Sequence, residues 1–508
     1  MVDTQVKKYR ILLKMTNDFL DDIQRRIETF DKLLDRCGMD HKKYQEDGVR
    51  WCLTNELRTD HPVEVRGGFI ADEMGLGKTI LMIGTFVANM MTKNLIILPP
   101  VLIDQWVQQI RRITGHSPIV FHGKNKKNIT IDHLNKSVIV ISTYSAISVT
   151  KNNKRSLLHQ VKWNRIVFDE GHHLRNKTTI LTGAILLKAK IRWIVSGTPI
   201  QNKKSDFYNL CKALKMPNSF YTNPDNLILI ARHYILKRTK KNVGIILPEV
   251  TIENEIVHWK SNKEKTLSEG IHWVLGMAAD DKMNRIGEII KNQSGSILRA
   301  FLRARQCCTL PKIMNKMFDE FVKDGYINNY DSYKEALSFS SKLDAVIDTI
   351  LKNKGNGCGK LVFCHFREEI DEIQKRLQLG GIDKIACFDG RLTQNVRQDI
   401  LEDNNEVLIL QIQTGCEGLN LQENYSEIYF VSPHWNPSVE DQAVARCHRI
   451  GQVKEVKVYK FQMDNFNEER NPVDSMDKSM DKSIDKSIDK YVGEVQDNKR
   501  LIANEVIA

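Results

Sequence analysis

Two α/β domains, each built on a parallel sheet, are what this 508-residue sequence predicts. Three observations lead there. Between about residues 66 and 200, short apolar runs alternate with longer helix-like ones; the alternation lapses over 201–340; and it resumes after SSKLDAVIDTILK at 340–352. Short apolar runs joined by helical crossovers are the signature of βαβ units, whose strands are covered on both faces and so read as continuous hydrophobic segments.

The elements follow in order. Leu12, Met15, Phe19, Ile23, Ile27, Phe30 and Leu34 recur at helical spacing, which predicts one amphipathic helix within residues 1–40. The stripe is too short to sustain many heptads, so packing on the domain behind it is favoured over a coiled-coil partner. The first domain, 41–202, has its strands in GGFIA, NLIIL, SVIVIS, RIVFD and RWIVS. Residues 203–340 lose the strand runs for polar helix-like segments such as DKMNRIGEIIKN and ILRAFLRARQCC, and read as a helical insertion and linker. The second domain, 341–465, has strands LVFCHF, KIACFD, VLILQI, EIYFVS and VKVYKF, with the glycine-rich KNKGNGCGK leading into the first of them. A tandem four-residue unit, SMDKSMDKSIDKSIDK, marks 466–490 as a spacer: its apolar line (Met476, Met480, Ile484, Ile488) drifts about 40° per step around a helix. Val492, Val495 and Ile502 form a packable stripe in the last segment, 491–508.

Composition sets outer bounds. A hydrophobic fraction of 41% with 27% charged residues is ordinary for a soluble chain, and a net charge of +12 is compatible with a polyanionic partner such as nucleic acid or with a lysine-rich solvated surface. The ten cysteines include no C-x-x-C pair, and the amino terminus carries no apolar signal region, so the expected location is the nucleus or cytoplasm and not the secretory route.

The chemistry centres on ADEMGLGKT at 71–79, between an apolar strand-like run and the helix-like TILMIGTFVANMM. Asp72 stands where the pattern G-x-x-x-x-G-K-[ST] has its first glycine. In a phosphate loop Gly75 and Gly77 would free backbone N–H groups to face phosphate oxygens, Lys78 would reach the outer phosphates, and Thr79 would ligate magnesium. RIVFDEGHHLRN places Asp169 and Glu170 at the end of an apolar strand, where one carboxylate can hold Mg²⁺ while the other orients and deprotonates the attacking water. Solvated acids capping a strand are the plain alternative. SVEDQAVARCHRIGQ carries Gln442, Arg446 and Arg449 at helical or near-helical spacing; arginines there could neutralise a transferring phosphoryl group if the two domains close on each other.

Taken together, these motifs resemble the Swi/Snf-type DNA-dependent ATPases of helicase superfamily 2, over roughly residues 41–505. YQEDGVRW is similar to the adenine-reading Q motif, DEMGLGKT to motif I, LIILPPVLIDQW to motif Ia, DEGHHLRN to motif II and SGTPIQN to motif III. ILKRTKKNVGIILPE matches a linker block of this branch, QTGCEGLNLQ motif V and HWNPSVEDQAVARCHRIGQ motif VI. Asp72 is what that family has at its position. The resemblance implies two RecA-like parallel-sheet lobes with helical insertions, using ATP and Mg²⁺ to translocate along double-stranded DNA. It implies that Gln45 reads adenine, that Asp72, Gly75, Gly77, Lys78, Thr79 and Gln442 belong to the nucleotide site, and that Thr79 and Asp169 hold the metal. Lys78, Asp169, Glu170, Arg446 and Arg449 would be catalytic, and Ser196 and Thr198 would couple nucleotide state to DNA. Thr143, Tyr144 and Trp435 lie in segments that approach the DNA backbone, or are ordinary strand-end and core residues.

Motif V departs from the glycine–alanine-rich version of many members at Cys416 and Glu417. A bias to Asn, Lys and Ile points to an AT-rich genome such as that of a large DNA virus, which would put the protein in a replication compartment or virion. Protein partners would then be chromatin, a polymerase or viral transcription machinery. The competing readings are a strand-separating helicase on DNA or RNA and a non-hydrolysing nucleic-acid-binding scaffold.

Overall fold

The computed structural model describes residues 2–58, 62–149, 155–176, 178–197, 204–277, 297–392, 403–412, 419–466 and 486–507, with Ile290, Val396 and 399–400, and side chains from Asp18 to Leu501. It divides into two units, Met1–Ile246 with Ile502–Ala508, and Leu247–Leu501.

The first unit is a seven-stranded sheet of β1 (Arg66–Ile70), β2 (Asn94–Leu98), β3 (Ile119–Phe121), β4 (Ile139–Thr143), β5 (Lys162–Asp169), β6 (Lys188–Val195) and β7 (Ile235–Leu236). Their order is β3-β4-β2-β5-β6-β1-β7 and every pairing is parallel. All carboxyl ends therefore share one edge, where open α/β sheets place their ligands. Each strand feeds both faces: in β2, Leu95 and Ile97 join one apolar cluster while Ile96 and Leu98 join the other. The five sequence-predicted strands are all present; β3 and β7 are too short to carry a visible apolar run.

Helix α1 (Val2–Arg36) buries Ile23, Ile27, Phe30 and Leu34 against α2 (Lys43–Leu57) and α3 (Lys78–Ala88), each side chain contributing about 1.5–3 kcal/mol. Phe30 seats on Gly84, where a Cβ would fall 2.5 Å from its ring. α2 is fixed to the sheet by a fully buried ion pair, because Arg165 on β5 donates from Nε to Glu56 Oε1 at 2.6 Å and from Nη1 to Asn94 Oδ1 at 2.8 Å. Trp193 on β6 and Asn89 donate to the same Glu56 carboxylate at 2.8 and 2.7 Å, so the buried charge is saturated with donors.

The second unit holds a six-stranded parallel sheet of β8 (Val250–Val257), β9 (Gly359–Cys364), β10 (Ile385–Phe388), β11 (Val407–Gln411), β12 (Tyr425–Phe430) and β13 (Val456–Met463) in the order β10-β11-β9-β12-β13-β8. Residues 203–340, read from sequence as one insertion, are apportioned between the units: helices Lys204–Ala213 and Leu227–Tyr234 and strand β7 belong to the first. β8 and helices Asn262–Trp273, Ile297–Thr309 and Asn315–Lys323 belong to the second. β8 went unseen because, as an edge strand, its middle residues Glu253, Asn254 and Glu255 are polar and at least partly exposed. The segment DKMNRIGEIIKN lies almost wholly outside the described residues.

Most of the four-residue repeat also lies outside them, but its last unit corrects the spacer reading. Helix Ile488–Ile507 begins inside the repeat, with Ser487, Ile488 and Asp489 all buried. Lys342 Nζ donates to Asp489 Oδ2 at 2.5 Å, Met463 N–H donates to the same oxygen at 2.9 Å, and Ile488 N–H donates to His272 Nε2 at 3.0 Å. An argument from the apolar line alone could not see that Asp489 would meet a buried lysine.

Candidate active site

The loop after β1 is built around two left-handed glycines, Gly75 (φ 89°) and Gly77 (φ 75°), the second being the N-cap of α3. Only glycine takes such angles without strain, and the alternation turns successive N–H groups into one concavity at the positive end of the helix. Lys78 Nζ folds back across that concavity to the carbonyls of Asp72 (2.9 Å) and Glu73 (3.4 Å). Gly197, just after Ser196, stands over it: a Cβ there would lie 3.5 Å from Lys78 Nζ. Gln45 on α2 is buried against the loop, and a Cβ on Gly77 would fall 2.5 Å from its Nε2. The structure thus brings Gln45, Gly75, Gly77, Lys78 and Thr79, the second residue of α3, to one place.

Asp72 is different. Its carboxylate is fully buried and both oxygens accept from Arg238, Oδ1 from the backbone N–H and from Nε at 3.0 Å each, and Oδ2 from Nη2. The sequence reading put Asp72 in the nucleotide site; the structure shows its buried carboxylate taken up by three hydrogen bonds from Arg238, an arrangement that positions the loop. Arg238 also donates to the Tyr44 carbonyl and lies 5.8 Å over the Tyr44 ring, while Gly48 leaves the room its Nη2 needs.

Asp169 ends β5 with its carboxylate held on two sides: Trp106 Nε1 on α4 (Ile103–Thr114) donates to Oδ2 at 2.7 Å, and Glu170 N–H donates to Oδ1 at 3.0 Å. Burial, then the adjacent Glu170 charge, pushes the Asp169 carboxyl up to about 7; the Trp106 hydrogen bond and the Lys78 charge oppose the rise. Lys78 and Asp169 therefore already feel each other. Glu170 is a non-glycine residue in the left-handed region (φ 49°, ψ 48°), a strained conformation of the kind that clusters at functional sites. Its Oε2 lies 3.3 Å from His172 Nδ1, and His172 stacks on His173 at 4.7 Å. Two adjacent desolvated carboxylates opposite a lysine make a place where a divalent cation with phosphate oxygens would relieve the repulsion.

Other expected residues fall elsewhere. Thr143 and Tyr144 are 1% and 5% exposed, and the Tyr144 hydroxyl donates to the Asp169 carbonyl at 2.7 Å, so neither presents its side chain for a DNA backbone. Ser196 is buried after β6, its N–H donating to Ile70 O at 3.0 Å; Thr198 lies outside the described residues, as does motif V over 413–418. In the second unit Trp435 is 41% exposed, between Phe301 and Tyr491 at 6.0 Å each, with Lys499 Nζ 5.3 Å over its ring. Gln442 is buried in helix Pro437–Val444. That helix stops at Val444, and the Arg446 carbonyl accepts from Leu421 N–H at 3.1 Å, so Arg446 and Arg449 sit on turns, not on the continued helix the spacing suggested. Burial, then the neighbouring Arg446 charge, lowers the Arg449 pKa, and Arg449 donates to Asn420 Oδ1.

Sequence reasoning missed Arg238 and Trp106, because each acts on a carboxylate 166 or 63 positions away in the chain. Both lie in blocks that the sequence singles out, Trp106 as the last residue of LIILPPVLIDQW and Arg238 in ILKRTKKNVGIILPE, but neither block points to the partner carboxylate.

Two family models match the chain. The SNF2-related domain matches residues 44–313 and the helicase conserved C-terminal domain residues 341–451. An uncharacterised ATP-dependent helicase of Mycoplasma genitalium is 27% identical over 457 residues, 84% of this chain and 40% of that protein. The ATP-dependent DNA helicase DDM1 of Arabidopsis thaliana is 26% identical over 481 residues, 83% of this chain and 58% of that protein. This chain thus spans less than two thirds of the length of either relative. Among solved structures, the Sulfolobus solfataricus SWI2/SNF2 ATPase core in complex with dsDNA is 23% identical with a TM-score of 0.36, over 84% of this chain and 88% of that one. The Pyrococcus furiosus Hef helicase domain is 17% identical with a TM-score of 0.49, over 83% and 95%.

Restoring the general loop pattern with Asp72→Gly should leave the Arg238 guanidinium without its counter-ion and cost the first unit about 3–5 kcal/mol. Thermal unfolding should show it, with Asp72→Asn, which keeps one acceptor, losing less. Equal midpoints for Asp72→Gly and the parent chain would mean the pair holds nothing.

Proposed function

Since the chain belongs to the SNF2-related family, we propose that it is a DNA-stimulated ATPase that couples hydrolysis to translocation along double-stranded DNA and so remodels protein–DNA complexes. The observation that carries the reading is the convergence of Lys78, Asp169 and Glu170 at one sheet edge, with Gln45 against the same loop. In this reading Lys78 leaves the carbonyls of Asp72 and Glu73 for the outer phosphates, and Gln45 orients the base. Thr79 and Asp169 would hold Mg²⁺, which when bound would neutralise charge on the phosphates. Glu170, held by the strained backbone at its position, accepts the proton of the attacking water. Arg446 and Arg449 are the second unit's proposed contribution, cations for charge that develops in the transition state. The net charge of +12 supports a polyanionic partner bound chiefly through phosphates, which makes affinity salt-dependent and largely indifferent to sequence.

ATP turnover of the purified protein with no nucleic acid, single-stranded DNA, duplex DNA and duplex RNA tests this. Duplex DNA should stimulate most. Glu170→Gln should bind ATP but slow hydrolysis by about a hundredfold or more, as loss of a general base does. Stimulation by RNA alone, or strand displacement from a tailed duplex, would favour a strand-separating helicase; absence of turnover under every condition would favour a scaffold.

The pH profile gives a second test. Asp169 must be ionised to hold a cation, and burial and then Glu170 raise its carboxyl to about 7 in the metal-free chain, so affinity for Mg²⁺ should weaken as pH falls through that value and activity at subsaturating Mg²⁺ should fall with it. Trp106→Phe removes the hydrogen bond that favours the charged form, and the acid limb should then move to higher pH. An unmoved limb would separate Trp106 from the metal site.

A further inference from the structure

The phosphate loop is tied, residue by residue, to the chain that leads out of the first unit. Ala71 N–H donates to Leu236 O at 2.7 Å and Glu73 N–H to Arg238 O at 2.8 Å, so the pairing of β1 with β7 runs on into the loop itself. Side chains repeat the link. Asp72 grips Arg238, and Glu73 grips Lys240 twice, accepting from its backbone N–H at 2.8 Å and lying 3.2 Å from its Nζ. Past Lys240 the chain makes a turn closed by Ile245 N–H to Lys240 O at 3.0 Å and reaches Ile246, the last residue of that unit in this stretch. Residues 236–246 are thus both a wall of the loop and the covalent connector to the second unit.

Resting on the nucleotide reading above, we infer that residues 236–240 are a strap through which occupancy of the loop sets the conformation of the connector, with Glu73 and Lys240 as positioning residues. The physical link is Lys78. Its ammonium is bonded to the carbonyls of Asp72 and Glu73, the two residues that hold the strap, and phosphate oxygens compete for that ammonium directly. Binding nucleotide therefore releases these two carbonyls and changes the setting of the peptide groups that pair with 236–238. Both states need only exchange hydrogen-bond partners within one contiguous network, which is the requirement for coupling two places in a fold. The Glu73–Lys240 pair suits this role better than Asp72–Arg238: Glu73 is 41% exposed where Asp72 is fully buried, so its carboxylate keeps access to water when the pair loosens.

Hydrogen exchange of the full chain, followed over residues 236–246 with and without saturating Mg·ADP, tests the strap without DNA. The parent chain should show a nucleotide-dependent change of about fivefold or more in the connector amides. Lys240→Gln should lose that change while binding ADP within about threefold of the parent, and Lys240→Arg, which keeps the charge, should retain it. Bound ADP with an unaltered connector in the parent, or an undiminished change in Lys240→Gln, overturns the strap and leaves the ATPase reading standing. Failure of the parent to bind ADP at all overturns both.

Discussion

One partly buried guanidinium organises the nucleotide end of the first unit. Arg238 reaches three things at once, the Asp72 carboxylate, the Tyr44 carbonyl and the Tyr44 ring, and so joins the phosphate loop to α2. A planar fork with fixed donor directions can do this where a lysine could not. The consequence reaches Gln45, the next residue after Tyr44, which is packed against Gly77. In the general loop pattern a first glycine lets the chain turn without help; here an aspartate replaces it, and its charge is balanced by an arginine from the far end of the unit. The loop's shape is then a tertiary property, dependent on Arg238 being in place.

The acidic end of β5 follows another logic. The sheet delivers Asp169 and Glu170 to one edge, where burial, then repulsion from Glu170, lifts the Asp169 carboxyl to about 7. Trp106 and the Glu170 amide hold the carboxylate in one orientation, and Tyr144 holds the backbone carbonyl beneath it. A strained Glu170 beside the Asp169 carboxylate makes a place that a cation and phosphates would suit. Rigid support of the carboxylate from below is what a preorganised site requires.

Much of this was legible in the sequence, for a physical reason. Strands buried on both faces are apolar without interruption, so all ten runs read as strands are strands, and the motif glycines, Lys78, Asp169 and Glu170 stand out by residue type. What was hidden was either short, like β3 and β7, or at an edge, like β8, where polar residues mask the pattern. Side-chain partners were hidden most deeply. Thr143 and Tyr144 look like exposed strand-end polar groups, and only the fold turns Tyr144 onto Asp169. The spacing of Gln442, Arg446 and Arg449 suggests one helix, yet the chain leaves the helix at Val444. Asp489 looks like one unit of a solvated repeat until Lys342 is found beside it. Local pattern carries secondary structure; long-range charge pairing does not appear in it.

On the proposed reading, Arg238, remote in sequence from the loop, is what makes this loop competent for nucleotide. Equilibrium affinity for Mg·ATP, measured on Arg238→Gln and the parent chain under conditions where both are folded, addresses it directly. Loss of the fork should release Tyr44, Gln45 and Asp72 together and weaken binding by about tenfold or more, the equivalent of roughly 1.4 kcal/mol. Affinity unchanged from the parent would contradict the account, leaving the loop formed by its own glycines and Arg238 a bystander.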